Sequence, residues 1–355
     1  MNAKDVVRLG MVVARHIGPV TARAARDRFG GWEEAVAAAE RVGRSAAGRA
    51  RTVTKSEMPD TLREALLQAP ERGHIVERDC NEHGIRILFR GEPEWPESLE
   101  CLTDPPEVLF LRGRAELFRE RAVGIVGSRE CSPGGAERTR RIAAALAEEG
   151  WLVVSGMARG IDAAAHEGAL AAGGDTAAVL GTGPETAYPP ENAALHRRLT
   201  VDGLLVSEFA PGAPPVPGNF PRRNRILAAL SAAVLVVECR VRSGALVTAK
   251  HALEQGKEIF VTPGRPEDAL AGGPLQLLRQ GARPVRHAAD LLDDLGGISG
   301  GPAPEPDDAR ALDAVRDGAR TEGELAEALG VAAGDARDRL ARLELLGLLS
   351  PESGP

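Results

Sequence analysis

Four cysteines and four lysines are all that 355 residues contain of either type. Cys80, Cys101, Cys131 and Cys239 are scattered, with no close pair at metal-ligand spacing. That excludes a disulfide framework and a cysteine-built metal centre, and leaves inert thiols in a reducing compartment. Of 44 basic residues only Lys4, Lys55, Lys250 and Lys257 are lysines. Arginine is favoured where phosphate is gripped bidentately, but a genome rich in G and C gives the same skew, so composition leaves both readings open. Long apolar runs are also missing: none approaches the roughly 18 to 20 residues a membrane span needs. Lys4, Asp5, Arg8 and Arg15 break up the N-terminus, which lacks the apolar core of a secretory signal. A cytoplasmic protein without membrane association is expected. With 43% apolar and 27% charged residues, global disorder is excluded.

The net charge of −7 is unevenly divided. Residues 1–75 carry +4, residues 76–306 carry −6, and the tail from Asp307 carries −5. A stretch dense in Gly and Pro, 296–306, reads as a linker. A softer boundary is expected near Pro70–Gly73. The chain therefore divides into 1–75, 76–295, the linker 296–306, and 307–355.

Each piece has its own pattern. The first reads as short helices, and His16-Ile17-Gly18-Pro19-Val20 resembles a SAM/helix-hairpin-helix-like turn, used either for DNA contact or for packing. In the middle piece, apolar runs at 122–127, 151–155, 176–180, 203–207, 233–238 and 258–261 alternate with helical stretches. Continuous apolar strands separated by helices predict a mostly parallel sheet covered on both faces, a Rossmann-like doubly wound α/β domain. Such folds bind ligands beyond the carboxyl ends of their strands. In the tail, Thr321-Glu322-Gly323-Glu324 has capping-box spacing. A second helix over about Gly334–Leu346, followed by Leu348-Leu349-Ser350, suggests a winged helix.

The chemistry is concentrated in loops after strands. Gly127-Ser128-Arg129, with Pro133-Gly134-Gly135 opening the next helix, is an anion-site signal, because glycine admits an anion to backbone N–H donors. A Gly-x-Gly-x-x-Gly dinucleotide fingerprint is absent. Ser155-Gly156-Met157-Ala158-Arg159-Gly160-Ile161-Asp162 follows the second strand, with His166 four residues on. That pair reads as a helix cap and a loop-bonded histidine rather than as metal ligands. In Phe220-Pro221-Arg222-Arg223-Asn224-Arg225, three arginines open a helix whose dipole disfavours them. They make sense facing phosphates, with Phe220 stacking on a base, or paired with Glu208 and Glu238. Arg242-Ser243-Gly244-Ala245-Leu246-Val247-Thr248 forms a further small-residue turn. A doubly wound sheet gathers all these loops along one edge.

Taken in order, these motifs resemble the DprA/Smf family of bacterial DNA-processing proteins. So do Asp104-Pro105-Pro106, Leu180-Gly181-Thr182-Gly183, Tyr188-Pro189 with Asn192, and Pro263-Gly264; the resemblance covers about Trp95–Val285. It implies a binding protein rather than an enzyme, with no cofactor or metal. Its members hold single-stranded DNA, dimerise, and load the RecA recombinase during natural transformation, with repair as a second setting and single-strand-binding protein as a candidate partner. The DNA-binding residues it implies here are Gly127, Ser128, Arg129, Ser155, Gly156, Met157, Arg159, Phe220, Arg222, Arg223, Asn224, Arg225, Ser243, Gly244 and Thr248. Some relatives have a lysine shortly before the aromatic residue; Val216-Pro217-Gly218-Asn219 has none. A phosphoribohydrolase-like enzyme is the alternative, but its Pro-Gly-Gly-x-Gly-Thr loop and following glutamate are missing. A transcription regulator acting through the tail conflicts with that tail's acidity, since non-specific DNA affinity comes largely from Lys/Arg–phosphate contacts. For the homodimer, Leu275, Leu277 and Leu278 are the expected surface: they span more than one face of a short helix.

Overall fold

The computed structural model describes residues 1–14, 17, 19–44, 58–297, 310–311, 314–315, 321–332, 334–337 and 339. The chain divides into two units, Met1–Arg286 and His287–Pro355.

All six expected runs form strands: β3 (Ala122–Val126), β4 (Leu152–Ser155), β5 (Thr176–Leu180), β6 (Leu204–Ser207), β7 (Ala233–Val236) and β8 (Glu258–Val261). Three more join them, β1 (Arg86–Phe89), β2 (Val108–Gly113) and the two-residue β9 (Arg283–Pro284). The order is β1-β2-β6-β5-β4-β3-β7-β8-β9. Strands β3 to β9 are parallel, and β1 and β2 add an antiparallel edge beside β6.

Alternation of side chains distributes this sheet between two cores. Ala177, Val179, Leu204 and Val206 face α8 (Asn219–Leu230) and α9 (Gly244–Glu254), packing with Ile226, Leu227, Ala245 and Ala249. Their neighbours Ala178, Leu180 and Leu205 face α6 (Ile161–Ala171) and α7 (Ala193–Asp202), meeting Ala163, Leu170, Leu195 and Leu199. Both faces are thus covered, which is why the strands read as unbroken apolar runs. Helix α5 (Pro133–Glu148) packs on α6. Strand order reverses between β3 and β7, so the chain's successive crossovers leave a crevice at their carboxyl ends.

Helices α1 (Ala3–Val12), α2 (Pro19–Phe29), α3 (Trp32–Arg44) and α4 (Asp60–Glu82) precede the sheet. The expected boundary near Pro70–Gly73 lies inside α4, which continues through Pro70. Close packing explains the continuity. A side chain at Gly10 would overlap the Ala69 carbonyl, and one at Gly73 would overlap that of Val6, so α1 and α4 touch backbone to backbone. Beyond that contact, Val76 and Cys80 of α4 share a core with Leu9, Ile85, Phe89, Val108 and Phe110. The helices and the antiparallel sheet edge are one folded body. Of the expected turn at 16–20, residues 16 and 18 lie outside the described residues. Helix α10 (Gly272–Arg279) buries Leu277 and leaves Leu275 and Leu278 half-buried.

The second unit holds α11 (Ala288–Gly297) and α12 (Glu322–Leu329). Gly296 and Gly297, expected to open the linker, end α11 instead, and 298–306 lie outside the described residues. The capping box forms: Thr321 Oγ1 accepts from the Glu324 N–H at 3.2 Å, and the Glu324 carboxylate accepts from the Thr321 N–H at 3.1 Å. Ala311, Leu325 and Ala336 make its core. The expected second helix is seen at 334–337 and 339; the rest of it and Leu348–Ser350 lie outside the described residues. Among the described residues, no helix is long and apolar enough to cross a membrane.

Candidate nucleic-acid interface

The expected residues separate into a buried frame and an open surface. The frame centres on Arg223, one turn into α8 and only 5% exposed. Its guanidinium donates to the carbonyls of Gly156 and Val179 and lies 3.8 Å from the Asp162 carboxylate. Gly156 must be glycine, because a Cβ there would occupy the space of the guanidinium. Arg223 Nε also donates to Asn224 Oδ1 at 3.1 Å, and Asn224 Nδ2 donates to the Gly244 carbonyl at 3.3 Å. One chain of bonds therefore ties β5, the loop after β4 and the start of α9 to α8. Burial lowers the Arg223 pKa to about 10, with Asp162 opposing, so it stays cationic near neutrality. Burial raises that of Asp162, with Arg223 as the main opposing influence.

Other expected contact residues belong to this frame as well. Ser155 is fully buried, its hydroxyl donated to the Ile125 carbonyl at 2.6 Å. Met157 is buried at a positive φ of 61°, and Asn192 Nδ2 holds its carbonyl at 2.9 Å. Thr248 is buried, with its hydroxyl 3.5 Å from the Gly244 carbonyl. Arg225 is buried against Glu208, which also takes Arg222 at 2.8 Å. The alternative of arginines paired with Glu208 holds; Glu238 is used differently. Its carboxylate accepts from the Ser132 N–H (2.8 Å) and hydroxyl (2.7 Å) at the start of α5. The anion expected beside Pro133-Gly134-Gly135 is the protein's own side chain, and a Cβ at Gly135 would overlap it.

Asp162 is not the cap of α6, whose N-cap is Gly160; it accepts from the Ala158 N–H at 3.3 Å. His166 does not bond in the loop. Its Nδ1 lies 2.7 Å from Thr176 Oγ1, whose own proton goes to the Val153 carbonyl at 2.7 Å. Nδ1 is therefore the donor, the ring is neutral, and Nε2 is buried without a partner. Burial depresses its pKa from 6.5 to about 3. Below pH 6.5 the unfolded chain takes up a proton that the folded chain refuses. Stability is full above that pH and falls towards pH 3, at on the order of 1.4 kcal/mol per pH unit. Buried His196, also shifted down mainly by burial, adds in the same direction. In urea titrations, His166→Asn should show a shallower loss than the parent between pH 6.5 and 5.5. Equal slopes would rule out this linkage.

The open surface is smaller. Arg129 is exposed on the loop after β3 and, among the described residues, makes no ion pair. Its guanidinium lies 5.8 Å from the Phe220 ring centroid, a cation–π distance. Tyr188, the sole tyrosine, sets its ring 5.3 Å from Phe220. A ring role for Tyr188 is absent from the motif pattern; it comes from the fold, which brings the loop after β5 over the start of α8. Phe220 lies across Gly181, and Asn219 Nδ2 pins the Gly181 carbonyl at 3.0 Å. Half-buried Gly127 and Ser128 shape the turn: the Ser128 N–H donates to the Glu238 carbonyl (2.6 Å), and its Oγ accepts from the Glu130 N–H (3.1 Å). Gly244 is exposed with open space before it, beside Ser243, the N-cap of α9. Arg222 is 37% exposed, and Arg159 is exposed at 3.6 Å from Glu191.

Fold and site together define a Rossmann-type α/β protein whose switch-point edge carries an unpaired arginine on a two-ring aromatic platform. Residues 86–296 match the family model of DNA recombination-mediator protein A, and the chain belongs to that family. It is 42% identical over 217 residues to Protein Smf of Synechocystis, covering 60% of this chain and 54% of that protein. It therefore matches about half the length of that relative. It is 41% identical over 198 residues to DNA processing protein DprA of Streptococcus pneumoniae, 56% of this chain and 70% of that one. The X-ray structure of DNA processing protein A from Streptococcus pneumoniae superposes with a TM-score of 0.66 at 29% identity, covering 81% of this chain and 96% of that one. DNA processing protein A from Helicobacter pylori, whose structure is described for its single-stranded DNA binding mode, gives 0.55 at 29% identity, over 59% of this chain and 95% of that one.

Proposed function

We propose that this protein binds single-stranded DNA at the switch-point edge and acts there as a recombination mediator. One observation carries the reading: exposed Arg129 lies over the half-buried Phe220 ring, with the exposed Tyr188 ring beside it, so a cation and an aromatic edge stand together at the surface. Every base has a π-face, so such a platform takes single strands with little sequence preference, while arginine meets the phosphate. Phe220, Arg129, Ser128, Gly127, Ser243 and Gly244 make the contact surface, with Arg222 and Arg159 at its margin. Ser155, Gly156, Met157, Arg223, Asn224, Arg225 and Thr248 act by holding the loops.

The same reading extends to loading the RecA recombinase on bound strands, in transformation or repair, and to a homodimer through α10, where Leu275 and Leu278 are left half-buried. The helices before the sheet would form a SAM/helix-hairpin-helix-like module and the second unit a winged helix. Sedimentation of the full chain, alone and with recombinase, tests dimer and partner; a lone monomer peak in both runs removes them. The DNA reading is tested by gel shift with matched single- and double-stranded oligonucleotides over a salt series. Single strands should bind more tightly, and log K should fall with log salt by about 0.7 per phosphate contacted. Equal binding of duplex, or a constant unmoved by salt, rejects it.

A further inference from the structure

The unpaired positive surface does not stop at the platform. Strands β3, β7 and β8 are consecutive parallel neighbours, with Val126, Val236 and Val261 side by side at their carboxyl ends. Adjacent strands lie about 4.8 Å apart. The loops that follow are stitched together. Ser128 N–H donates to the Glu238 carbonyl, Cys239 N–H to that of Leu270 at 2.8 Å, and Thr262 N–H to that of Val236 at 3.1 Å. Within these loops stand Arg240, Arg242 and Arg265, all exposed. Among the described residues none of the three has an ion pair or a side-chain hydrogen bond.

Elsewhere in this domain several arginines are paired, Arg86 with Glu94, Arg114 with Asp175, Arg140 with Glu167 and Arg159 with Glu191, while among the described residues exposed Arg197, Arg198 and Arg279 are not. What sets Arg240, Arg242 and Arg265 apart is that they share the strand-end loops beside Arg129. Acidic side chains near the three are turned to other tasks. Glu238 is held by Ser132, and the Asp268 carboxylate accepts from the Leu270 N–H at 2.8 Å. Exposed Glu267 and Asp268 on these loops and Glu130 beside Arg129 keep their charges, but among the described residues none of them forms an ion pair with Arg129, Arg240, Arg242 or Arg265. Val241, 58% exposed between Arg240 and Arg242, adds an apolar contact point. Cations spread over successive strands on an open edge suit a chain of phosphates rather than one small anion.

We infer that a second stretch of single strand, continuing from the Phe220–Arg129 platform, lies across the loops after β7 and β8 with its phosphates on Arg242, Arg240 and Arg265. This rests on the single-strand reading above and adds a path to it. The test compares thymidine oligonucleotides of about 6 and about 25 nucleotides, lengths that bracket one binding site. The full chain and its Arg240→Ala/Arg242→Ala/Arg265→Ala variant are measured by fluorescence anisotropy over a salt series. The long oligonucleotide should lose at least about tenfold in affinity and about 2 in salt slope, three contacts at about 0.7 each, while the short one changes less than about twofold. The variant should fold normally, since the three side chains are exposed and, among the described residues, make no ion pair or side-chain hydrogen bond; circular dichroism checks this. If the long oligonucleotide binds both proteins alike, or the short one loses as much as the long, the second stretch is wrong. If the parent binds neither oligonucleotide, the single-strand reading itself fails and takes this path with it.

Discussion

Alanine at Arg129 and at Phe220 together lowers affinity for single-stranded DNA by on the order of a hundredfold, while the melting temperature moves little. A charge-assisted contact to phosphate contributes about 1.5–3 kcal/mol, and stacking of one base on an aromatic ring about 1–3 kcal/mol. The two side chains touch, with the guanidinium 5.8 Å from the ring centroid, so their contributions are coupled. A double-mutant cycle should fall short of the sum, because removing either group already loosens the other. Tyr188 remains beside the gap at 5.3 Å, and Phe220→Tyr should retain most of the stacking. Arg129 has no ion pair among the described residues and is exposed, so its loss leaves no buried charge behind. Additive effects would place Arg129 and Phe220 on different nucleotides. Parent-like binding by the double variant would move the site elsewhere on the molecule.

Sequence pattern and structure agree where the physics is local. The parallel strands are legible because burial on both faces makes each one a continuous apolar run. Strand β2, Val108–Gly113, is equally apolar but pairs antiparallel with β6 nearly a hundred residues later, and nothing local announces that partner. The interface loops are legible as motifs; their division into surface and frame is not. Arg222, Arg223 and Arg225 share one helix turn, and each residue rotates by about 100°, so neighbours point in different directions. Only the packed helix shows Arg223 turned inward to Gly156 and Val179, and Arg222 and Arg225 turned to Glu208. Glu238 is similar. It ends a strand pattern, yet its carboxylate fills the α5 N-terminus more than a hundred residues earlier in the chain, where a ligand anion was expected. The break placed at Pro70–Gly73 followed from Pro and Gly as punctuation. Pro70 stands instead inside a continuous helix, and Gly73 makes a backbone-to-backbone crossing with α1.

Glu107, just before β2, carries the other large expected effect. Its side chain is 3% exposed and is surrounded by four arginines: Arg8 at 2.9 Å, Arg23 at 3.3 Å, Arg26 at 3.5 Å and Arg90 at 3.6 Å. Three of these come from α1 and α2, so a single carboxylate fastens those helices to the sheet edge. Burial lowers the Arg8 pKa, and Glu107 is the main influence opposing it. Glu107→Ala leaves Arg8, 10% exposed and lying over the Phe89 ring, without its counter-ion. Breaking a buried pair by removing one partner costs about 3–5 kcal/mol. Urea unfolding of the full chain should show a loss of that order, and Glu107→Gln, which keeps the shape without the charge, should lose less. The effect should reach the interface too. Arg23 holds Asp104 at 2.7 Å, and Asp104 lies 3.9 Å from Arg222, itself shared with Glu208. Loosening α2 frees Asp104 to draw on Arg222, and single-strand affinity should fall several-fold even where the variant remains folded. A Glu107→Ala protein within about 1 kcal/mol of the parent would mean that the four arginines are satisfied by water and by one another's neighbours. The seam would then be held by its apolar core of Leu9, Val76 and Phe110 alone.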